Sequence, residues 1–265
     1  MLRRLGHLET QVLAYAQMRQ ARTIRTGEMA RSLRLPPQQV QEVITRLAKG
    51  GQVARVRRGL YLVPPRLPLG GTWSPDPILA LNALMEDRSA RYQICGPSAF
   101  NRYGFDEQVP ARLYVYNNRL SGVRTIGSVE MTLIKLADAR LGGTEEVTAP
   151  EGSKAFYSSR VRTLVDAVYD WSRFSSLPRA YEWIRGELSS GRAAAADLAR
   201  TTVEYGNQAT LQRIGFLLEQ EGASRSALAT LQRALPPSAS VIPWNPVGSK
   251  RGAVNRRWKV ILNEP

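Results

Sequence analysis

Three stretches near the N-terminus carry apolar residues at the spacing of an α-helix. They cover residues 5–18, 27–35 and 36–51. The positions expected to face inward are Leu5, Leu8, Val12 and Tyr15 in the first, Met29, Ala30 and Leu33 in the second, and Val40, Val43, Ile44 and Leu47 in the third. Thr26 is placed to cap the second helix. Pro36 opens the third, which a glycine pair ends.

Residues 53–63, VARVRRGLYLV, alternate in the manner of a β-strand, with a break at Arg57, Arg58 and Gly59. Glycine adopts at low cost the positive φ that tight hairpin turns require, so the break predicts a hairpin with two arginines at its tip. Three helices followed by a two-stranded ribbon make a winged helix-turn-helix. That fold is the prediction for residues 1–68.

Residues 69–265 predict a larger mixed α+β domain, so the fold class of the whole chain is α+β. A segment rich in Pro and Gly, residues 64–77, predicts the linker between the two domains. The elements predicted beyond it are a helix at 77–88, a strand at 92–96, a short helix from Ser98, strands at 112–118 and within 122–136, helices at 160–171, 178–190, 194–205 and 207–223, and a final strand at 257–263.

Positive charge is concentrated at the N-terminus. The chain has 37 Lys and Arg against 22 Asp and Glu, a net charge of +15. Residues 1–65 hold 12 of these cations and only three Glu, a net charge of +9, which leaves +6 for the other 200 residues. Genome base content or heat adaptation would explain an arginine-rich total but not this asymmetry. A basic module joined to a more neutral one is typical of nucleic-acid binding.

The third predicted helix offers side chains suited to reading bases. Glutamine can contact adenine at two atoms, arginine can do the same to guanine, and glutamate can accept from cytosine. In a winged helix-turn-helix this helix enters the major groove, and basic hairpin residues contact phosphates or the minor groove. The predicted DNA-binding residues are Gln38, Gln39, Gln41, Glu42, Thr45, Arg46, Arg55, Arg57 and Arg58. The alternative is a winged helix used for protein contacts, which leaves the hairpin charge without a role.

The sequence offers little for catalysis. His7 is the only histidine, so one chain cannot form a histidine triad or a multi-histidine metal site. Cys95 is the only cysteine; it fits a reducing cytoplasm and is predicted to be a buried small residue rather than a nucleophile. The sequence has no phosphate-binding Gly-rich loop, and we expect neither a secretory signal nor a membrane-spanning segment. We therefore expect a cytoplasmic protein that is not an enzyme and has no cofactor, metal or membrane partner.

Five segments, in this order, carry a family resemblance over nearly the whole chain: GLYLVP (59–64), ICGPSAFNRYGFDEQVP (94–110), SRVRTLVDAVYDW (159–171), ATLQRIGFLLEQEGAS (209–224) and NRRWKVILN (255–263). They resemble segments of AbiEi-type antitoxins, the transcription-factor-like halves of bacterial type IV toxin–antitoxin systems for phage defence. The resemblance implies a transcriptional autorepressor that binds double-stranded operator DNA, with inverted repeats, through its winged helix. It also implies an antitoxin, in residues 69–265, that opposes a nucleotidyltransferase toxin.

Two further alternatives remain open on the residues alone. The chain could be a winged-helix factor of nucleic-acid processing or repair that uses the module only to dock on DNA. A nucleotidyltransferase gene directly downstream would favour the antitoxin instead. The basic cluster around Trp258, residues 250–259, could contact nucleic acid, or Trp258 could be core with the charges at its rim or facing a partner's acidic patch.

Overall fold

The computed structural model describes residues 5–66, 72–149 and 152–263, which form a mixed α+β fold with several sheets. Its helices are α1 (His7–Met18), α2 (Thr26–Leu33), α3 (Pro37–Lys49), α4 (Pro77–Asp87), α5 (Gly96–Arg102), α6 (Arg160–Tyr169), α7 (Trp171–Phe174), α8 (Arg179–Ser189), α9 (Ala195–Tyr205), α10 (Gln208–Gln220) and α11 (Arg225–Ala234). Its strands are β1 (Thr23–Arg25), β2 (Ala54–Arg57), β3 (Leu60–Leu62), β4 (Tyr92–Ile94), β5 (Leu113–Asn117), β6 (Gly122–Ile126), β7 (Val129–Lys135), β8 (Thr144–Thr148), β9 (Lys154–Ser158), β10 (Ile242–Pro243), β11 (Ala253–Asn255) and β12 (Val260–Leu262).

The N-terminal unit, residues 5–66, packs α1, α2 and α3 on one face of an antiparallel sheet with strand order β1-β3-β2. The predicted two-stranded ribbon therefore has a third strand, β1. It was not predicted because three residues are too few to show an alternating pattern. The predicted cap at Thr26 is wrong: Arg25 is the N-cap of α2, and Thr26 is already helical. In α1, Val12 is buried as predicted, but Leu13 and Ala16 complete its buried face while Leu5, Leu8 and Tyr15 are only half-buried.

The second unit, residues 72–263, is built on a six-stranded mixed sheet with strand order β6-β7-β5-β4-β9-β8. One face packs against α4 and, through Ala54 and Leu62, against the N-terminal unit. Helices α5 to α11 supply or adjoin the core on the opposite face, which also holds Trp244 and Trp258. The chain ends in a small sheet with strand order β10-β12-β11. The N-terminal unit and the helical layer therefore lie on opposite faces of the central sheet.

The predicted helices and strands of the second unit are present, with shifted ends in some cases. The short helix predicted from Ser98 begins two residues earlier, at Gly96. The predicted cap of α10 is confirmed, because the Asn207 side chain accepts from the Thr210 amide. The missed elements are strands β8 and β9, which complete one side of the sheet, the short strands β10 and β11, and helices α7 and α11.

The predicted linker is partly in contact with both units. Residues 67–71, and with them the boundary predicted after residue 68, lie outside the described residues. On the described side, the Trp73 amide donates to the Gly51 carbonyl at 2.7 Å. Pro75 lies against Gly127 at the β6–β7 turn. These contacts hold the start of the second unit against the end of α3.

Candidate nucleic-acid interface

Helix α3 is fixed by its buried side. Val40, Val43, Ile44 and Leu47 are all fully buried, as their helical spacing predicts. The opposite side of the helix therefore faces outward. On it Gln38, Glu42 and Arg46 are exposed, whereas Gln39, Gln41 and Thr45 are half-buried.

The half-buried part of this face contacts the hairpin. The Gln41 amide nitrogen donates to the hydroxyl of Tyr61, on β3, at 3.0 Å, and lies 3.2 Å from the Thr45 hydroxyl. That hydroxyl donates to the Gln41 carbonyl at 2.6 Å. Gln41 therefore joins α3 to the sheet, whereas Thr45 is bonded within the helix. Both are less available to a ligand than their exposed neighbours.

The exposed part of the face consists of Gln38, Glu42 and Arg46. Gln38 donates its amide to Glu42 across one helical turn at 3.3 Å. The Arg46 side chain is 56% exposed, and its Nε lies 3.8 Å from a carboxylate oxygen of Glu9, on α1. An ion pair that is half-exposed to water contributes little to stability, so the pair with Glu9 does not bury Arg46 in the fold.

The hairpin turns at Arg58 and Gly59, as predicted. Gly59 has φ of 82°, which a residue with a side chain adopts only with strain. Its carbonyl accepts from the Thr26 amide, at the start of α2, at 3.1 Å. The tip of the hairpin is thus held against the start of α2, and the side chain of Arg58 at the tip is exposed.

A β-bulge separates two arginines that alternation places together. Arg55 pairs with Tyr61 and Arg57 pairs with Leu60, so Val56 is an extra residue in β2. Directly paired residues project from the same face of a sheet, and adjacent residues of β3 project from opposite faces. Arg55 therefore lies on the α3 side with Tyr61, while Arg57 lies on the side of the second unit. The bulge redirects Arg57 away from α3.

Arg57 is held by a carboxylate of the second unit. Its Nε and Nη2 donate to the two carboxylate oxygens of Asp87, at the end of α4, each at 2.6 Å. Its Nη1 donates to the Arg58 carbonyl at 2.8 Å. One guanidinium therefore connects α4 to the backbone of the hairpin tip.

Two more arginines approach the same carboxylate. Asp87 is 4% exposed, and it lies 3.7 Å from Arg25 and 3.6 Å from Arg88. We call Asp87, Arg25, Arg57 and Arg88 the Asp87 cluster. The hydrogen bonds from Arg57 hold the pKa of the Asp87 carboxyl below its usual 3.8, and the same bonds raise the pKa of Arg57. The cluster carries one negative and three positive charges.

The predicted hairpin arginines thus divide into two kinds. Arg55 and Arg58 are exposed and form no ion pair with another residue in the described parts of the chain. Arg57 is paired with Asp87. Sequence reasoning missed Arg25, Asp87 and Arg88, since the Arg57–Asp87 contact spans 30 positions and no local pattern signals it.

A buried ion pair lies within one of the resembling segments, residues 159–171. Arg162 and Asp166, one helical turn apart on α6, are both fully buried, and the Arg162 Nε lies 2.9 Å from each carboxylate oxygen. The other Arg162 nitrogens donate to the carbonyls of Gly142 and Arg140. The Arg140 guanidinium lies 3.4 Å from Asp166. We call Asp166, Arg140 and Arg162 the Asp166 cluster; it fixes the loop before β8.

The last two resembling segments, residues 209–224 and 255–263, contact each other. A side chain on Gly215, on α10, would come within 2.3 Å of the Trp258 ring, so the glycine permits this close contact. Trp258 is fully buried and donates its indole N–H to Glu219 at 3.0 Å. Arg257 also binds Glu219. The interpretation of Trp258 as core is therefore confirmed. The cations left exposed beside it are Lys250, Arg251 and Arg256.

A cavity of about 460 Å³ lies between α4 and the β4–β9 side of the sheet. Its most buried polar lining residue is Gln93, which donates to Ser158 at 2.8 Å and accepts from the Gly142 amide at 2.9 Å. Both polar groups of the Gln93 amide are therefore bonded within the protein.

The one cysteine of the sequence lies in the core of the second unit. Cys95 is fully buried, as predicted, and burial raises the pKa of its thiol well above 9.0. Within residues 5–66, 72–149 and 152–263, no three His, Cys, Asp or Glu side chains are grouped to hold a metal ion. No helix in those ranges has both the length and the apolar character needed to cross a bilayer.

The fold is similar to a solved structure, whereas the sequence matches no protein-family model and no curated protein. The crystal structure of the RV2827C protein from Mycobacterium tuberculosis aligns with a TM-score of 0.59 over 98% of this chain and 92% of that chain. The two sequences are 17% identical, so the similarity concerns the fold.

Proposed function

We propose that this chain is a DNA-binding transcriptional autorepressor whose N-terminal unit is a winged helix-turn-helix. Helix α3 enters the major groove of double-stranded operator DNA, and the β2–β3 hairpin is the wing. Gln38, Glu42 and Arg46 are its foremost candidates for base contact, with Gln39 beside them. Arg55 and Arg58 contact phosphates.

The observation that carries this proposal is the position of the exposed cations relative to α3. Arg55 shares a sheet face with Tyr61, which binds Gln41 of α3, so the arginine lies beside the polar side of the helix. Arg58 extends from the tip of the same hairpin. A polar helix face flanked by exposed cations that form no ion pair within the described ranges is suited to a DNA groove and its backbone.

The test compares two variants of the full chain on operator and random DNA over a range of salt. Arg46→Ala is expected to weaken operator binding by about 1–3 kcal/mol and to change random binding little. Arg58→Ala is expected to weaken both DNAs and to lower the slope of log K against log salt by about 1. If Arg46→Ala lost equal binding free energy on operator and random DNA, Arg46 would contact a phosphate and not a base. If Arg58→Ala left the salt slope unchanged, the hairpin tip would not contact the DNA backbone.

We further propose that the second unit makes the chain the antitoxin of a type IV toxin–antitoxin operon, opposing a nucleotidyltransferase. The support is the resemblance of five sequence segments to AbiEi-type antitoxins. One of those segments supplies Arg162 and Asp166 of the Asp166 cluster, and two others meet in the Gly215–Trp258 contact. These contacts explain how the segments stabilise a fold; the activity itself rests on the resemblance.

Co-expression with the neighbouring nucleotidyltransferase gene separates the two activities. A full chain with Arg55→Ser and Arg58→Ser is expected to lose operator repression and still restore growth, because both substitutions lie outside the second unit. Loss of rescue by this folded variant would assign the antitoxin activity to the N-terminal unit. A neighbourhood without such a gene, together with operator-independent binding, would favour the alternative of a DNA-docking factor in nucleic-acid processing or repair.

A further inference from the structure

Asp87 belongs to the second unit, yet its carboxylate contacts the wing of the N-terminal unit. The carboxylate is nearly buried and accepts both hydrogen bonds of the Arg57 fork at 2.6 Å. A bidentate bond between guanidinium and carboxylate fixes direction as well as distance. The orientation of Arg57 is therefore set by α4 and not by the hairpin alone.

The same guanidinium controls the hairpin tip. Arg57 Nη1 donates to the Arg58 carbonyl at 2.8 Å, so the peptide that carries Arg58 is tied through Arg57 to Asp87. The apolar contact of Ala54 and Leu62 with the second unit holds the other end of the hairpin. The tip has no comparable apolar contact, because Arg58 is exposed and Gly59 has no side chain.

Charge gives Asp87 a second effect on DNA binding. An arginine whose charge is already matched by a carboxylate at 2.6 Å gains little from a phosphate, because binding the phosphate requires breaking the existing pair. Arg25 and Arg88 approach the same carboxylate at 3.7 and 3.6 Å, and their side chains are 57% and 47% exposed. Arg57 is 37% exposed as well, but it alone of the three forms a bidentate bond to Asp87 in the described parts of the chain, so the looser partners are easier to recruit.

We propose that Asp87 is a positioning residue for the wing: it withholds Arg57 from the DNA backbone and fixes the direction in which Arg58 meets it. This inference rests on the proposed DNA binding. It gives the second unit a direct influence on how selectively the first binds DNA. It also predicts that Arg57, unlike Arg58, forms no phosphate contact in the operator complex.

The test is Asp87→Asn in the full chain, with Glu86→Gln as the control that removes the same charge from the exposed neighbour on α4. Asparagine lacks the second acceptor and the charge, so Arg57 is released. We expect the magnitude of the salt slope on random DNA to rise by about 0.9, the increment for one added phosphate contact. We expect the ratio of operator to random affinity to fall severalfold. Glu86→Gln is expected to change neither quantity.

Arg57→Gln breaks the same pair from the other side and serves if Asp87→Asn does not fold. It is expected to leave the salt slope unchanged and to lower the affinity ratio. In the Arg57→Gln background, Asp87→Asn is expected to leave the salt slope unchanged, because no Arg57 guanidinium is there to be released. If Asp87 acted only by stabilising the fold, its effect would not depend on Arg57 in this way. A slope that falls by about 1 in Arg57→Gln, or a slope and ratio unchanged in folded Asp87→Asn, would overturn the inference while leaving the proposed function intact. Absence of salt-dependent DNA binding by the wild-type chain would overturn both.

Discussion

The Asp87 cluster and the Asp166 cluster are built from the same groups, and the protein places them in contrasting surroundings. In each, one nearly or fully buried aspartate meets more than one arginine. At Asp87 the arginines are between 37% and 57% exposed, whereas Arg162 is fully buried and Arg140 is 16% exposed. Hydrogen bonding from Arg57 lowers the pKa of Asp87. Burial raises the pKa of Asp166 against the opposing charges of Arg162 and Arg140.

The contrast shows that the surroundings of an ion pair decide its role. The Asp166 cluster lies within one unit, where every Arg162 nitrogen binds an oxygen of the protein. The Asp87 cluster joins two units and keeps part of each guanidinium in water. A buried pair is costly to break from one side, because the remaining charge stays desolvated. A half-exposed pair costs less to break, because water solvates the guanidinium that loses its partner.

The largest expected effect is the loss of Asp166. Asp166→Ala leaves Arg162 and part of Arg140 buried without the carboxylate, so we expect the free energy of unfolding to fall by about 3–5 kcal/mol. Chemical denaturation measures this loss. The matched control is Asp197→Ala, which breaks an exposed pair with Arg200 on α9 and is expected to cost less than about 1 kcal/mol. Similar losses in the two variants would mean that burial does not distinguish the pairs.

The second expected effect tests whether the resembling segments act through packing. Gly215→Ala places a methyl group against the Trp258 ring, which cannot move within a filled core, so we expect a loss of about 1–3 kcal/mol. Gly186→Ala is the control, because a side chain there meets no atom within 4 Å on helix α8. Alanine is the better helix former, so this control is expected to gain up to about 1 kcal/mol. A loss in both variants would contradict the role given to Trp258.

The local parts of this comparison could be predicted from sequence, and the distant parts could not. The stripe Val40, Val43, Ile44 and Leu47 predicted the buried side of α3 because helical spacing is a local property. Strand β8, with the sequence TEEVT, has almost no apolar signal, since its side chains are mostly exposed at a sheet edge. The alternation of VARVR predicts Arg55 and Arg57 on one face. Only the pairing of β2 with β3 reveals the bulge that separates them.

A third prediction measures the coupling at the junction of the units. A double-mutant cycle on Arg57→Ala and Asp87→Ala is expected to give an interaction energy of about 1 kcal/mol or less, because water screens the exposed side of the guanidinium. Denaturation of the wild type, both single variants and the double variant supplies the cycle. A coupling as large as the loss in Asp166→Ala would mean that the Arg57–Asp87 pair is as costly to break as a buried pair, and the contrast between the two clusters would then fail.

The smallest expected effect is a difference in pH dependence. The pKa of Asp87 is lower in the folded chain, so below about pH 4 the unfolded chain binds more protons, and the contribution of Asp87 is lost as pH falls through its folded pKa. The pKa of Asp166 is higher in the folded chain, so its contribution has the opposite sign and declines as pH rises from about 4 through its folded pKa. Unfolding free energies between about pH 3 and about pH 7 are therefore expected to fall less steeply toward acid in Asp87→Asn than in the wild type. In Asp166→Asn they are expected to fall more steeply. Parallel profiles for Asp87→Asn and the wild type would show that Arg57 does not favour the ionised form of Asp87, and the two clusters would then differ in burial alone.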